Sequence, residues 1–278
     1  MSKTVLINER KRIPEWLRLK LPQSSAFTRT RGLLDELGLH TVCESAKCPN
    51  HWECWSKGTA TFMIAGDRCT RACSFCAVST SRPLPLDGDE PNRVAEAVFR
   101  MKLKHVVITA VARDDLQDGG ANHFRETIDA VRIRNPKIII EVLVPDFLDK
   151  DDSLDMVLNA RPEIFNHNLE TIRRLTPKVR SRANYERSLS VLKKVKERGE
   201  GNIYTKSGIM LGLGETESEL FESLSDLRSA NCDILTLGQY LQPSLCHLPV
   251  VNYVTPSKFE EYGAKARDMG FMHVASGP

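Results

Sequence analysis

The chain has 278 residues, 41% of them hydrophobic and 27% charged, enough for one large core plus a modest extension. Thirty-nine basic against 36 acidic residues leave a net +3, too small a bias to commit the molecule to nucleic acid. No apolar run approaches the roughly 18–20 residues that cross a bilayer, and Val5-Leu6-Ile7 gives way at once to charges and Pro14. No membrane anchor or signal peptide is expected, and Glu9, Glu15 and Pro14 argue against a transit peptide. The expected setting is the reducing cytoplasm, because six of eight cysteines crowd between Cys43 and Cys76, a pattern of metal or cluster ligation rather than of disulfides.

In chain order, residues 1–57 form an N-terminal extension with cysteines of its own, and 58–278 the main domain. From Thr61 onward, short β-branched runs alternate with amphipathic stretches, the pattern of repeated βα units on a parallel sheet. Strands are predicted at Thr61–Ala65, His105–Ala110, Ile138–Leu143, Glu163–Phe165, Thr205–Leu211 and Ile234–Tyr240. Helices are predicted at Arg93–Met101, Asn122–Ile133, Asp151–Ala160, Tyr185–Arg198 and Glu217–Ala230, the last begun by a Thr216/Glu219 capping box. Pattern alone admits an open doubly wound sheet or a barrel. Polar and glycine-rich oddities follow strand after strand, however, as around one mouth, so the expected architecture is a partial (β/α)6 barrel of the TIM type.

After the first strand comes Gly66-Asp67-Arg68-Cys69-Thr70-Arg71-Ala72-Cys73-Ser74-Phe75-Cys76, three thiols at C-x3-C-x2-C spacing. Three soft ligands on one loop select an iron-sulfur cluster or zinc. Structural zinc closes with four ligands, and no histidine lies near this loop. Three cysteines on a four-iron cluster leave one iron open for a small molecule. The spacing resembles the cluster loop of the radical S-adenosylmethionine enzymes. That resemblance implies that Cys69, Cys73 and Cys76 are catalytic, their cluster splitting S-adenosylmethionine to methionine and a 5'-deoxyadenosyl radical.

In the extension, Cys43, Cys48 and Cys54 have C-x4-C-x5-C spacing; taken bare, they could hold a structural zinc together with His51. Together with the Cys69 loop, Arg113-Asp114-Asp115-Leu116, Phe165-Asn166-His167-Asn168-Leu169-Glu170-Thr171 and Gln239-Tyr240-Leu241-Gln242-Pro243, this stretch resembles the lipoyl synthase family from about Pro14 to the last residue. The resemblance implies a second, auxiliary four-iron cluster on Cys43, Cys48 and Cys54 that gives up two sulfur atoms, added at C6 and C8 of an octanoyl group on a lysine of a carrier domain. The carriers implied are E2 subunits of 2-oxoacid dehydrogenases or the glycine cleavage H protein, with ferredoxin or flavodoxin as electron donor. No nucleic acid or membrane partner is expected.

It further implies that Asn168 and Glu170 grip the ribose of S-adenosylmethionine, that Arg187 meets its methionyl carboxylate, and that the Gly208–Glu215 stretch, with Gly212 and Glu215, lies against adenine. Read without the resemblance, Asn168 and Glu170 are helix caps, Arg187 is one basic residue among ten, and Gly212 marks a turn. Arg113, Asp114 and Asp115 are either a solvated surface cluster or residues with a lid or substrate role. Trp16, Trp52, Trp55 and Phe62 are expected in packing, and Cys232 as a buried thiol.

Three departures stand out. Ala110 and Ala112 replace commonly polar residues, Asn252 stands where the family commonly has Arg, and the family's Arg-Ser-Ser-Tyr segment, whose serine is the fourth auxiliary ligand, does not follow Ser276-Gly277-Pro278. The expectation is a truncated chain or an auxiliary cluster with an open or substituted corner, with Ser276 and Cys246 as weak replacements. Two rival readings are a biotin-synthase-like sulfur-inserting enzyme and a non-catalytic iron or zinc protein on the same scaffold. Thr171 to Arg198 carries ten basic residues against Glu186 and Glu197, and is expected either as a docking face for an acidic carrier or as a solvated helix.

Overall fold

The computed structural model describes residues 12–18, 25–46, 48, 54–55, 60–199 and 202–278. Its main sheet has eight strands: β1 (His40–Thr41), β2 (Thr61–Ile64), β5 (His105–Ala110), β6 (Ile139–Leu143), β7 (Ile164–Asn166), β8 (Tyr204–Leu211), β9 (Ile234–Gln239) and β10 (His273–Gly277). Two short strands, β3 (Arg68–Cys69) and β4 (Ser79–Thr80), pair apart from it. From β2 to β10 every neighbouring pair is parallel and the spatial order is the chain order, whereas β1 joins β2 antiparallel. Among the described residues no pairing joins β1 to β10, so the barrel is partial.

The six predicted strands and five predicted helices are all present, with ends that move by up to three residues; the helix Tyr185–Arg198 matches at both ends. Helix Glu217–Ser229 starts on the expected capping box, Thr216 accepting from the Glu219 N–H and Glu219 reaching back. A seventh parallel strand was not expected. Helix Pro256–Asp268, capped by Thr255 on the Lys258 N–H, leads into β10, which lies in register against β9. β10 reads His-Val-Ala-Ser-Gly, too small and too weakly β-branched to announce itself.

Two apolar clusters hold the sheet to its helices. Phe62, Ile108, Ile140 and Phe165 pack beneath Val98, Phe124 and Ile128; Leu211, Leu235 and Leu237 pack beneath Leu224, Leu227 and Phe259. Inside the sheet, Glu141 of β6 is 2% exposed and takes bonds from Lys206 Nζ at 2.7 Å and Asn166 Nδ2 at 3.1 Å. Burial pushes the Glu141 carboxyl up, but His105 and Lys206 carry it below the usual carboxylate value, so this interior charge stays compensated. Trp55 and Phe62 are fully buried, as expected. Trp16 is not: its short turn, Glu15–Leu17, buries no residue, and the indole is 47% exposed at a cavity of about 580 Å³ shared with Ser276 and Gly277. Trp52 lies outside the described residues.

Candidate active site

At the end of β2, Ala65 and Gly66 both take left-handed φ values, 65° and 90°, which swings the chain out of the sheet. The peptide of Ala65 is held on both sides: its N–H donates to Glu90 Oε2 at 2.7 Å, and its carbonyl accepts from Arg113 Nη1 at 3.1 Å. Beyond this bend, Cys69 lies on β3, Ser74 donates its N–H to the Val179 carbonyl at 2.9 Å, and His247 Nε2 meets the Cys76 carbonyl at 3.0 Å. Thr70 bonds the Ala112 carbonyl through both N and Oγ1, so the contact at this family departure needs only backbone. The sequence Cys69–Cys76 is therefore a fixed platform rather than a free loop.

All three thiols line one cavity of about 300 Å³, with Asn168, Glu170 and His167. Burial pushes the Cys76 thiol up to about 11 and raises Cys73 as well. Such thiols are sluggish nucleophiles at neutral pH; a bound metal that displaces their protons is what makes them thiolates.

Asn168 and Glu170 follow β7 as expected. Glu170 has φ 65°, and its backbone clips onto β8 through N to the Gly208 carbonyl and the Met210 N–H to its own carbonyl, both 2.9 Å. Asn168 Nδ2 donates to Glu170 Oε1 at 3.1 Å, and burial pushes the Glu170 carboxyl up. The glycine at 208 is needed for this arrangement, since a Cβ there would stand 2.8 Å from Asn168 Oδ1. Sequence reading gave no role to Arg180, which lines the cavity and donates to the Asn168 and Leu169 carbonyls at 2.9 and 3.1 Å. His167, which had no derivable role, links the Val144 carbonyl to Ser188 Oγ; burial lowers its pKa to about 4.

Arg187, Gly212 and Glu215 do not line this cavity. Glu215 accepts the N–H groups of Gly212 and Leu213 at 2.6 and 2.9 Å, so both of its oxygens shape the glycine turn. Gly212 has φ 98°, and a Cβ there would run into Gln239 and the Asn252 carbonyl. Arg187, in the first turn of its helix, points Nε at Asp146 Oδ2, 3.4 Å away. Arg113 is 3% exposed and forked onto Asp115, and Asp114 holds Arg71, so these charges are struts and not a solvated cluster.

In the extension, Cys43 is buried beside Trp55 and Phe62, and Cys54 packs against the same cluster. The Cys48 N–H donates to the Cys43 carbonyl at 3.0 Å. Helix Val42–Ser45, which carries Cys43, sends Val42 to the thiol cavity, as does the following Ala46. Ser276 donates to the Phe259 carbonyl at 2.7 Å, and Cys246 is exposed. His51 lies outside the described residues.

This partial parallel barrel, with a three-thiol loop after its first barrel strand, is a radical S-adenosylmethionine scaffold, and residues 63–227 match the model of the Radical SAM superfamily. Solved structures agree on the fold. The HydG maturase of the [FeFe]-hydrogenase from Carboxydothermus hydrogenoformans superposes with TM-score 0.57 at 15% identity, over 90% of this chain and 62% of that one. Streptococcus suis SuiB bound to precursor peptide SuiA gives 0.60 at 12%, over 77% and 48%. Residues 2–48 match the N-terminal domain of lipoyl synthase. Lipoyl synthase of Chlorobaculum tepidum is 54% identical over 266 residues, 95% of this chain and 91% of that protein. Lipoyl synthase of Halalkalibacterium halodurans is 56% identical over 268, covering 96% and 88%. The chain belongs to the lipoyl synthase family.

Proposed function

We propose that Cys69, Cys73 and Cys76 hold a four-iron cluster that binds S-adenosylmethionine at its open iron, and that the chain inserts two sulfur atoms, at C6 and C8, into an octanoyl group on a lysine of a carrier domain. The observation that carries this reading is the common cavity of the three thiols with Asn168 and Glu170. A four-iron cluster takes each thiolate on a different iron and leaves its fourth iron for a small molecule, which three thiols on one loop suit. When bound, the cluster supplies the electron that cleaves S-adenosylmethionine, and the auxiliary cluster supplies sulfur.

The protein's part is to hold and to shield. The Glu170 carboxylate and Asn168 amide, already bonded to each other, offer an acceptor and a donor to a vicinal diol. Met63, Val111, Leu143 and Val144 line the cavity with hydrocarbon, which keeps water from a reactive carbon centre. Arg187, Gly212 and Glu215 belong to the same reading as holders of the methionyl carboxylate and of adenine, the last two through backbone shape. Cys43, Cys48 and Cys54 are the proposed auxiliary ligands, carried by a proposed extension of residues 1–57 ahead of a barrel domain of residues 58–278. Val42 and Ala46 at the thiol cavity support a sulfur source close to the target carbon.

The partners follow from the reaction: octanoylated E2 or H-protein domains, and a low-potential donor such as ferredoxin or flavodoxin. A cytoplasmic setting fits a chain in which, among the described residues, no helix is long and apolar enough to cross a membrane. Replacing Cys69, Cys73 or Cys76 by Ala is expected to abolish 5'-deoxyadenosine formation. The same change at Cys43, Cys48 or Cys54 is expected to leave cleavage but stop dithiolation. Undiminished cleavage in the first set, or dithiolated product in the second, would refute the assignment of that triplet.

A further inference from the structure

Just after β6, three successive residues other than glycine, Phe147, Leu148 and Asp149, have φ values of 45°, 55° and 65°. Left-handed backbone is unfavourable for residues that carry a Cβ, and strain of this kind persists only where the surroundings impose it. Here they do. Phe147 is buried edge-on against Phe124, Asp149 pairs with Lys194 Nζ at 2.7 Å, and Asp146 Oδ1 accepts the Leu148 N–H at 3.2 Å.

What the turn achieves is the placing of one carboxylate. The Asp146 side chain is 0% exposed and stands between two guanidinium groups. Its Oδ1 is 2.7 Å from Nη2 of Arg71, the residue midway between Cys69 and Cys73, and Asp114 grips Arg71 from Nε and Nη2 at 2.8 Å. Its Oδ2 has no hydrogen-bond partner, and Arg187 Nε lies 3.4 Å away. Among the described residues the two Nη groups of Arg187 make no hydrogen bond, so its fork is open to an anion.

We propose that Asp146 is a positioning residue that couples the thiol loop to Arg187, so that a carboxylate taken up by Arg187 is felt at Arg71 and hence at the loop between Cys69 and Cys73. The proposal rests on the reading of the site as one for S-adenosylmethionine. Its physical basis is that one buried carboxylate is shared by two cations. An anion that draws on Arg187 alters the Arg187–Asp146 contact, and inside the protein that change passes to the Arg71–Asp146 bond with little screening.

The test is a double-mutant cycle on the full chain with its clusters reconstituted anaerobically and its iron content matched, reading equilibrium binding of S-adenosylmethionine and the shift of the reduced cluster's electron paramagnetic resonance signal on addition. Arg71→Gln and Arg187→Gln are each expected to weaken binding about tenfold, and together by far less than the hundredfold product. In an Asp146→Asn background, Arg71→Gln should change binding less than twofold. If Asp146→Asn does not fold, Arg71→Lys and Arg187→Lys keep a cation on each side of Asp146 without the Arg fork and should show the same shortfall. Multiplicative effects in either set overturn the coupling and leave the reading of the site intact. Failure of the unaltered, iron-replete chain to bind S-adenosylmethionine overturns that reading and the coupling with it.

Discussion

His167 shows how a single residue here acts through what burial denies it. Its two ring nitrogens are bonded to the Val144 carbonyl and Ser188 Oγ, and burial lowers its pKa to about 4 from 6.5. Below pH 6.5 the unfolded chain takes up a proton that the folded chain refuses. Stability is therefore intact above 6.5 and declines as pH falls toward 4, by on the order of 3 kcal/mol. Urea unfolding between pH 7 and 4.5 checks this; a His167→Gln variant should lose the part of the slope that belongs to this ring, and an unchanged slope would exclude His167 as its source. A second test at this scale is Gly208→Ala. The added methyl would crowd Asn168 Oδ1, and one lost ligand hydrogen bond of about 1–1.5 kcal/mol should weaken S-adenosylmethionine binding roughly tenfold. Unchanged affinity by equilibrium dialysis would remove Asn168 from the ribose site.

The helix Tyr185–Arg198 belongs to the scale of elements, and its charges do less outward work than their number implies. Lys194 bonds Asp149 and Asp151, Arg198 bonds Asp151 and Asp155, and Lys196 bonds Asp233 at 2.9 Å. Among the described residues Lys193 has only Glu197, at 3.8 Å, both side chains well exposed. Reversing all three lysines would thus mix two effects. Lys196→Met should cost about 1–3 kcal/mol in urea unfolding, because Asp233, which also takes the Thr205 N–H, is left without its cation. A loss below about half a kcal/mol would show that Asp233 manages without it. Lys193→Glu, by contrast, isolates carrier docking: binding should weaken at low salt with stability unchanged.

The same element shows what was legible in the sequence. Its bounds could be read because Asn184, a periodic apolar face and Gly199 all agree with the helix. The thiol loop was legible for a similar reason, its chemistry being local. Arg180 was not, because its value lies in reaching the Asn168 and Leu169 carbonyls some eleven or twelve positions away. Neither was the Phe147–Asp149 turn, whose residues have no glycine to mark it.

For the whole molecule, iron counting is the direct measure. About eight irons per reconstituted chain are expected, falling to about four when Cys43, Cys48 and Cys54 are all changed to Ala. Eight irons in that variant would place the second cluster elsewhere. The sheet itself has a consequence in time. Because each parallel strand from β2 to β10 lies beside its predecessor in the chain, the barrel can be laid down in the order in which a ribosome releases it. At about 5–20 residues per second, Arg180, which lines the thiol cavity, emerges roughly ten seconds after Cys76. For that interval the nascent polypeptide displays the three thiols of this loop to the cell before the residues that are to enclose them exist.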